Sequence, residues 1–530
     1  MLSARQAGAL VAGGALVLAA AAPAHAASPG PDRRSAAAGA ATDPAKLAGK
    51  LAGAVKVDDI NRHLVALQRI ATMNGGTRAA STPGHLASAQ YIADRLTAAG
   101  YAVKIQEFQF PFEQTLAEQG REVSPTARTL NPHVMRYSPN TPVGGVTAAL
   151  TALPGLAADA TPGCEAGDFT GTYTGTIVLI QRGACTFQQK HDNAAAAGAI
   201  GVLVYNNAES PTEALSGRLT DDTSGRIPIG GLTRAEGETL AADVAAGPVT
   251  VSLELRVQRE TRTTRNVIAE TRTGRADNVV MSGAHLDSVL EGPGINDNGS
   301  GSAAQLEIAL RLANEKVRNK VRFAWWSAEE FGLLGSAHYV SQLTFEQQLD
   351  IALYLNFDMV ASPNYGRFIY DGDDSDAEGA GPGPYGSAQI EDVFEGYFDG
   401  KGLAHEGTDF TGRSDYGAFI AAAIPAGGLF TGAEGRKTAE QAARYGGTAG
   451  EPYDACYHQA CDTLGNVNRT VLAQNAGAMA WAIGTFATDT STVNGNGSAV
   501  ARQSRRQAAT SATLTAARVP AGAHEHDDAA

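Results

Sequence analysis

The chain has 530 residues, 43% of them hydrophobic and 18% charged, with a formal net charge of −14 at pH 7. That length exceeds what one hydrophobic core organises and points to two to four domains of ordinary globular composition. The negative balance argues against nucleic acid and against an anionic membrane surface as partners.

Residues 1–26 have the form of an export signal: Arg5 gives a positive start, residues 7–22 are apolar, and Ala24-His25-Ala26 offers small residues around a cleavable bond. No later segment is long and apolar enough to span a bilayer. A secreted, extracellular protein without a membrane partner is expected, with its four cysteines oxidised. Residues 27–50 are rich in Ala, Gly and Pro without periodicity, which predicts a pro-segment or flexible leader, with order starting near Val57. Residues 58–73 and 88–99 have helical periodicity and residues 101–110 alternate like a strand, so 51–130 reads as the first part of an α/β domain.

The pattern then changes, and residues 131–255 look like a module inserted into that domain. A strand at 175–181 leads into Arg182-Gly183-Ala184-Cys185-Thr186-Phe187, then Lys190, an Ala-rich helix ending in Ala197-Gly198-Ala199, and a second strand, Gly201 through Tyr205, before Asn206 and Asn207. In that order these features resemble the protease-associated (PA) domain, a β-rich, non-catalytic module of exported proteases. The resemblance implies that Cys164 pairs with Cys185.

The first domain resumes near Asn266, and 256–487 reads as its catalytic part. A run of small β-formers, Val279 to Gly283, delivers His285 to the carboxyl end of a buried strand, with Asp287 two residues on. Asp297 sits in a Gly- and Asn-rich turn before a helix at 303–313 that Ser300 or Ser302 is expected to cap. A strand at 320–326 ends in Glu329-Glu330, one at 351–357 ends in Asp358, and residues 423–430 suggest a fourth. Cys456 and Cys461 enclose a loop, with Tyr457 and His458, that is small enough to be locked by its own disulfide. A closing helix is expected at 470–485. The tail, 488–530, lacks any core pattern and reads as disordered.

His285, Asp297, Glu330, Asp358 and His458 mix imidazole with carboxylate in the proportion that suits zinc, and they are too many for one tetrahedral ion. Two Zn2+ ions sharing a carboxylate would use all five: His285 and Asp358 on one, Glu330 and His458 on the other, Asp297 bridging. Glu329, beside a ligand without needing to be one, is the candidate general base; a solvated acid at a helix start is the other reading of it. Asp287 would accept the second imidazole N–H of His285. Tyr457 is either a hydroxyl donor to an oxyanion or a buried structural tyrosine.

These segments match, in order, the M28 family of co-catalytic zinc aminopeptidases: His-x-Asp at 285–287, the Asn296-Asp297-Asn298 turn, Trp325-Trp326-Ser327-Ala328-Glu329-Glu330, Asn356-Phe357-Asp358 and Cys456-Tyr457-His458. The likeness covers most of 59–110 and 266–487. It implies a mixed twisted sheet sandwiched by helices, the zinc, base and oxyanion roles just given, and preference for large hydrophobic N-terminal residues of peptides or proteins. It also implies that Arg413, in Arg413-Ser414-Asp415, helps position the substrate. The chain departs from the family at Tyr416-Gly417-Ala418-Phe419, where His-x-Pro-Phe is usual, and this bears on pocket shape. Ala473 and Gly477 stand where some members have calcium-binding acids, so calcium is not expected. A monomer is expected. Carboxypeptidase and glutaminyl cyclase occur on the same fold and are the alternatives, together with a non-catalytic binding or receptor protein.

Overall fold

The computed structural model describes residues 44–494, apart from 378 and 380. The expected export signal at 1–26, most of the leader and the tail beyond 494 lie outside the described residues.

Four parallel strands stand side by side in the order Ala426–Phe430, Ile351–Phe357, Arg275–His285 and Asn319–Trp326. They read as apolar runs because both of their faces are covered; every residue of Ile351–Phe357 is buried. Trp325 and Trp326, neighbours in one strand, point to opposite faces. Trp325 joins the core shared with Ile308, Met479 and Ile483, whereas Trp326 packs among Tyr339, Tyr354 and Phe419. The register sets Trp326 beside His285 and Asn356 beside Gly283. All the strand ends that carry chemistry therefore meet at one edge, where open α/β sheets hold their ligands.

The strand Val249–Glu270 joins this half of the sheet to the other. Its last residues pair with Asn319–Trp326, its first with Val146–Ala152, and its whole length with Ala102–Ser124. The strand expected at 101–110 is thus the start of a 23-residue element. This ribbon is fastened beside the chemistry: Phe110 and Phe112 lie 5.2 and 5.3 Å from the ring of Phe331, which follows Glu330, and the guanidinium of Arg262 caps Phe112 at 3.4 Å. Beyond the ribbon, Val146–Ala152, Ile177–Gln181, Gly201–Tyr205 and Ile229–Leu232 form a parallel set with apolar clusters on both faces. The Cys164–Cys185 disulfide is present, and the buried Lys190 ammonium donates to the carbonyl of Pro162 above it.

Three expectations are corrected. Order, expected from near Val57, begins earlier, at the helix Pro44–Ala54, which buries Leu47, Ala48 and Leu51 on the helix Arg469–Thr488. Small residues permit this contact, since a Cβ on Gly484 would lie 2.6 Å from the Cα of Ala48. At the other end the tail expected from 488 stays folded as far as the helix Ser491–Asn494, whose Val493 is fully buried. Lastly, neither Ser300 nor Ser302 caps the helix Gly299–Leu312. Asn298 does, accepting the N–H of Gly301, while Ser300 and Ser302 donate to the carbonyls of Asn296 and His285. The Gly-Ser-Gly-Ser start lets this helix press on the strand end: a Cβ on Gly301 would sit 2.1 Å from the carbonyl oxygen of Phe357.

His85 is one of the buried groups that couple folding to pH. His85, in the first turn of the helix Pro83–Ala98, is fully buried with Nε2 at 3.2 Å from the carbonyl of Arg265, and burial lowers its pKa from 6.5 to about 4. The folded state keeps this ring neutral where the unfolded chain would protonate it. Its contribution is therefore complete above about pH 6.5 and is lost as pH falls toward 4, amounting to about 3 kcal/mol over that window. Urea unfolding at pH 7 and pH 4.5 should show a smaller acid loss in His85→Gln than in the parent; equal losses would contradict this assignment.

Candidate metal centre

His285 is the last residue of its strand, and its Nε2 lies 3.1 Å from Asp358 Oδ1 and 3.2 Å from Asp297 Oδ1. His458, in the loop closed by the Cys456–Cys461 disulfide, has its Nε2 at 3.0 Å from Glu330 Oε2 and 3.3 Å from Asp297 Oδ2. Each oxygen of Asp297 thus faces one imidazole, and each Nε2 has one further carboxylate oxygen within hydrogen-bond distance. The five residues singled out as ligands are brought together in two pairs around a shared aspartate. Glu329 is beside them, its Oε2 3.9 Å from His285 Nε2, and is 9% exposed.

The backbone holds this arrangement. The strand ends supply His285, Glu329-Glu330 and Asp358, and the turn before the helix Gly299–Leu312 supplies Asp297. Asp462, immediately after Cys461, accepts the N–H groups of Asn296 and Asp297 at 2.8 and 2.9 Å. Asp454 accepts from the side chains of Asn296 and Asn466, so the disulfide loop and the aspartate turn share one buried polar network. Ser414 donates to Asp358 Oδ2 at 2.6 Å and accepts from Asn356 at 2.8 Å, which fixes the outer carboxylate.

Asp287 departs from expectation. Nδ1 of His285 meets the main-chain carbonyl of Asp287 at 3.2 Å, whereas the Asp287 carboxylate is 3.8 Å away and accepts the N–H groups of Glu329 and Glu330 at 3.3 and 3.4 Å. A side chain two residues beyond the strand end turns toward the neighbouring strand, and only the peptide carbonyl remains over the ring. Asp454, Asp462 and Ser414 were not singled out from the sequence as parts of the site. The two aspartates flank the cysteine loop, and that spacing is the one cue that sequence offers for them.

Burial and the adjacent Asp358 and Glu330 raise the pKa of Glu329 well above the usual carboxyl range, although His285 opposes this. Burial lifts the carboxyls of Asp287 and Asp415 to about 7. Burial disfavours charge on His458, yet Glu330 and Asp297 raise its pKa to about 11; His285 likewise rises well above 6.5 beside Asp358 and Glu329. Glu330 Oε1 is buried without a hydrogen-bond partner. Among the described residues, the imidazoles are the sole ion-pair partners of Asp297, Glu329, Glu330 and Asp358. So much buried carboxylate with so little cation is costly unless divalent metal fills the space, and the mixed imidazole and carboxylate donors fit zinc.

Tyr457, in the cysteine loop, is half-buried and stacks on His458 with ring centroids 3.8 Å apart. Burial and the charges of Asp297 and Glu330 keep its hydroxyl protonated. Arg413, about half exposed, pairs with Glu434 at 2.7 Å. Tyr416, where the sequence departs from the family pattern, is buried and accepts the N–H of Gly412, so the departure is absorbed in packing behind the loop.

A profile of Peptidase family M28 matches residues 266–483, and one of the PA domain matches 146–240. Over 456 residues the chain is 46% identical to a probable lipoprotein aminopeptidase, LpqL, of Mycobacterium tuberculosis, covering 85% of this chain and 89% of that one. It is 45% identical over 405 residues to leucine aminopeptidase 2 of Arthroderma otae, covering 76% and 78%. Among solved structures it is similar to a zinc aminopeptidase from Bacillus subtilis, with a TM-score of 0.56 and 26% identity over 81% of this chain and 94% of that one. The chain belongs to peptidase family M28 and is a metallo-aminopeptidase with a PA domain ahead of the matched segment.

Proposed function

We propose that this protein is a secreted dizinc aminopeptidase that releases large hydrophobic N-terminal residues from peptides. The observation that carries the reading is the pairing of His285 with Asp358 and of His458 with Glu330 across the two oxygens of Asp297. In this reading those five residues hold two Zn2+ ions, with Asp297 common to both. When bound, the ions would polarise the scissile carbonyl and bring the pKa of the attacking water down toward about 7.

The protein's own groups do the rest. Glu329 takes the proton of the attacking water and returns it to the departing amine. The Tyr457 hydroxyl donates to the oxyanion of the tetrahedral intermediate. Asp287 holds the main chain of Glu329 and Glu330, and so aims the base. The carboxylates around the centre favour a free α-ammonium group, and Arg413, steadied by Glu434, positions the peptide at the mouth. The hydrophobic preference is supported by the name of the Arthroderma otae relative, and secretion by the export pattern of 1–26 and the two disulfides.

Peptide amides with free and with acetylated N-termini separate the alternatives. Release from the free form alone is expected. Cleavage of the blocked form alone would remove the aminopeptidase reading, and cyclisation of N-terminal glutamine in place of hydrolysis would favour the cyclase.

A further inference from the structure

The loop between His285 and Asp297 is tied down by a residue from the first part of the peptidase domain. Arg78, between the helices Val57–Met73 and Pro83–Ala98, is fully buried. Its guanidinium donates to three main-chain carbonyls of that loop, those of Leu286, Pro293 and Gly294, the bond to Pro293 measuring 2.8 Å. Its own N–H donates to Ser288 Oγ at 2.9 Å, and Ser288 donates onward within the loop to Gly292 at 2.9 Å. Thr77 adds a bond to the carbonyl of Val289 at 2.7 Å. Gly294 has φ +58, and a Cβ there would crowd the carbonyl of Asp297 at 2.2 Å and the guanidinium at 3.2 Å. The loop is therefore folded closely around this cation.

No carboxylate bonds directly to the guanidinium among the described residues, although Asp287, Asp462, Asp297 and Glu330 are near enough to favour its charge. Burial lowers its pKa to about 10, so it stays positive at neutral pH. A planar fork with fixed donor directions can hold three carbonyls at once; a lysine ammonium on a flexible stem cannot reproduce that geometry. Asp462 anchors the Asn296-Asp297 backbone from the cysteine loop, and Arg78 anchors the residues that precede it.

We propose that Arg78 is a positioning residue of the metal centre, whose grip on residues 286–294 sets the placement of the shared Asp297 relative to His285 and thereby the affinity for the pair of metal ions. This rests on the dizinc reading above. Outer groups of this kind typically control metal affinity by 10- to 100-fold.

The test uses full-length protein stripped of metal, with zinc titrated by equilibrium dialysis for the parent, Arg78→Lys, Arg78→Met and Ser288→Ala. Circular dichroism verifies folding. For Arg78→Lys and Arg78→Met at least a tenfold weakening of the weaker zinc equivalent is expected, and for Ser288→Ala a smaller one. Activity should return at excess zinc with KM unchanged, a rescue that general loosening of the fold would not give. If the arginine variants do not fold, Ser288→Ala decides by the same titration, and parental affinity there overturns the proposal. Folded arginine variants that bind two zinc ions as tightly as the parent likewise overturn it. A parent that hydrolyses peptides yet binds no zinc refutes the dizinc reading first, and is told apart by the parental titration.

Discussion

Changing Glu329 to glutamine is expected to lower kcat by about 10²- to 10⁴-fold while both zinc ions remain bound and KM changes little. Glutamine keeps the shape and the main-chain bond to Asp287, but it cannot accept a proton at neutral pH. Its neighbour Glu330 faces His458 at 3.0 Å, whereas Glu329 stands 3.9 Å from His285, outside hydrogen-bond range, with 9% of its surface open. Of the two adjacent acids, one is within hydrogen-bond distance of an imidazole and the other is not. Zinc content by elemental analysis and single-turnover kinetics would be measured together. Parental kcat in Glu329→Gln would reject the base, and loss of zinc would move Glu329 into the ligand set.

The parts of this site that were legible in the sequence share one cause. His285, Glu329-Glu330 and Asp358 follow apolar runs that end abruptly, and in a parallel sheet such ends converge whatever lies between them in the chain. His458 was legible because two cysteines five residues apart enclose it. What was hidden depends on contacts across the fold. Asp287 has the spacing of an imidazole partner, but the nearest N–H groups belong to Glu329 and Glu330. Arg78 stands among small residues with no periodic signal, and its partners are carbonyls, which every residue possesses. The same holds for the larger fold. The helix Pro44–Ala54 is too rich in Ala and Gly to announce itself, and it is fixed by the glycine that receives it at position 484. The strand Ala102–Ser124 outruns its apolar start because a second long strand, Val249–Glu270, pairs with it throughout.

That ribbon also bears on how the two parts of the molecule are joined. One continuous strand bonds to the catalytic strands at one end and to the PA strands at the other, and Phe110 and Phe112 on its partner pack against Phe331, next to Glu330. The PA domain is thereby connected to the chemistry through hydrogen-bonded backbone and aromatic packing.

Stripping the protein with a strong chelator is expected to abolish turnover, and added zinc to restore it, with a pH dependence that follows from the centre itself. Without metal the buried carboxylates draw protons onto the imidazoles: burial opposes this at His458, but Glu330 and Asp297 raise its pKa to about 11, and Asp358 and Glu329 do the same in kind for His285. Zinc requires neutral imidazole, so binding must expel those protons. Because the released species is a proton, affinity rises with pH; zinc should bind more weakly at pH 6 than at pH 8, and the apparent constant should change by up to about tenfold per pH unit for each proton released. Calorimetric titrations in buffers of different ionisation enthalpy count the protons directly. Asp297→Ala, which removes the group facing both imidazoles, should bind less than two equivalents at any pH and show no turnover. Hydrolysis that survives thorough chelation, or zinc binding with no proton released, would show that the carboxylates and imidazoles gathered around Asp297 serve some purpose other than holding catalytic metal.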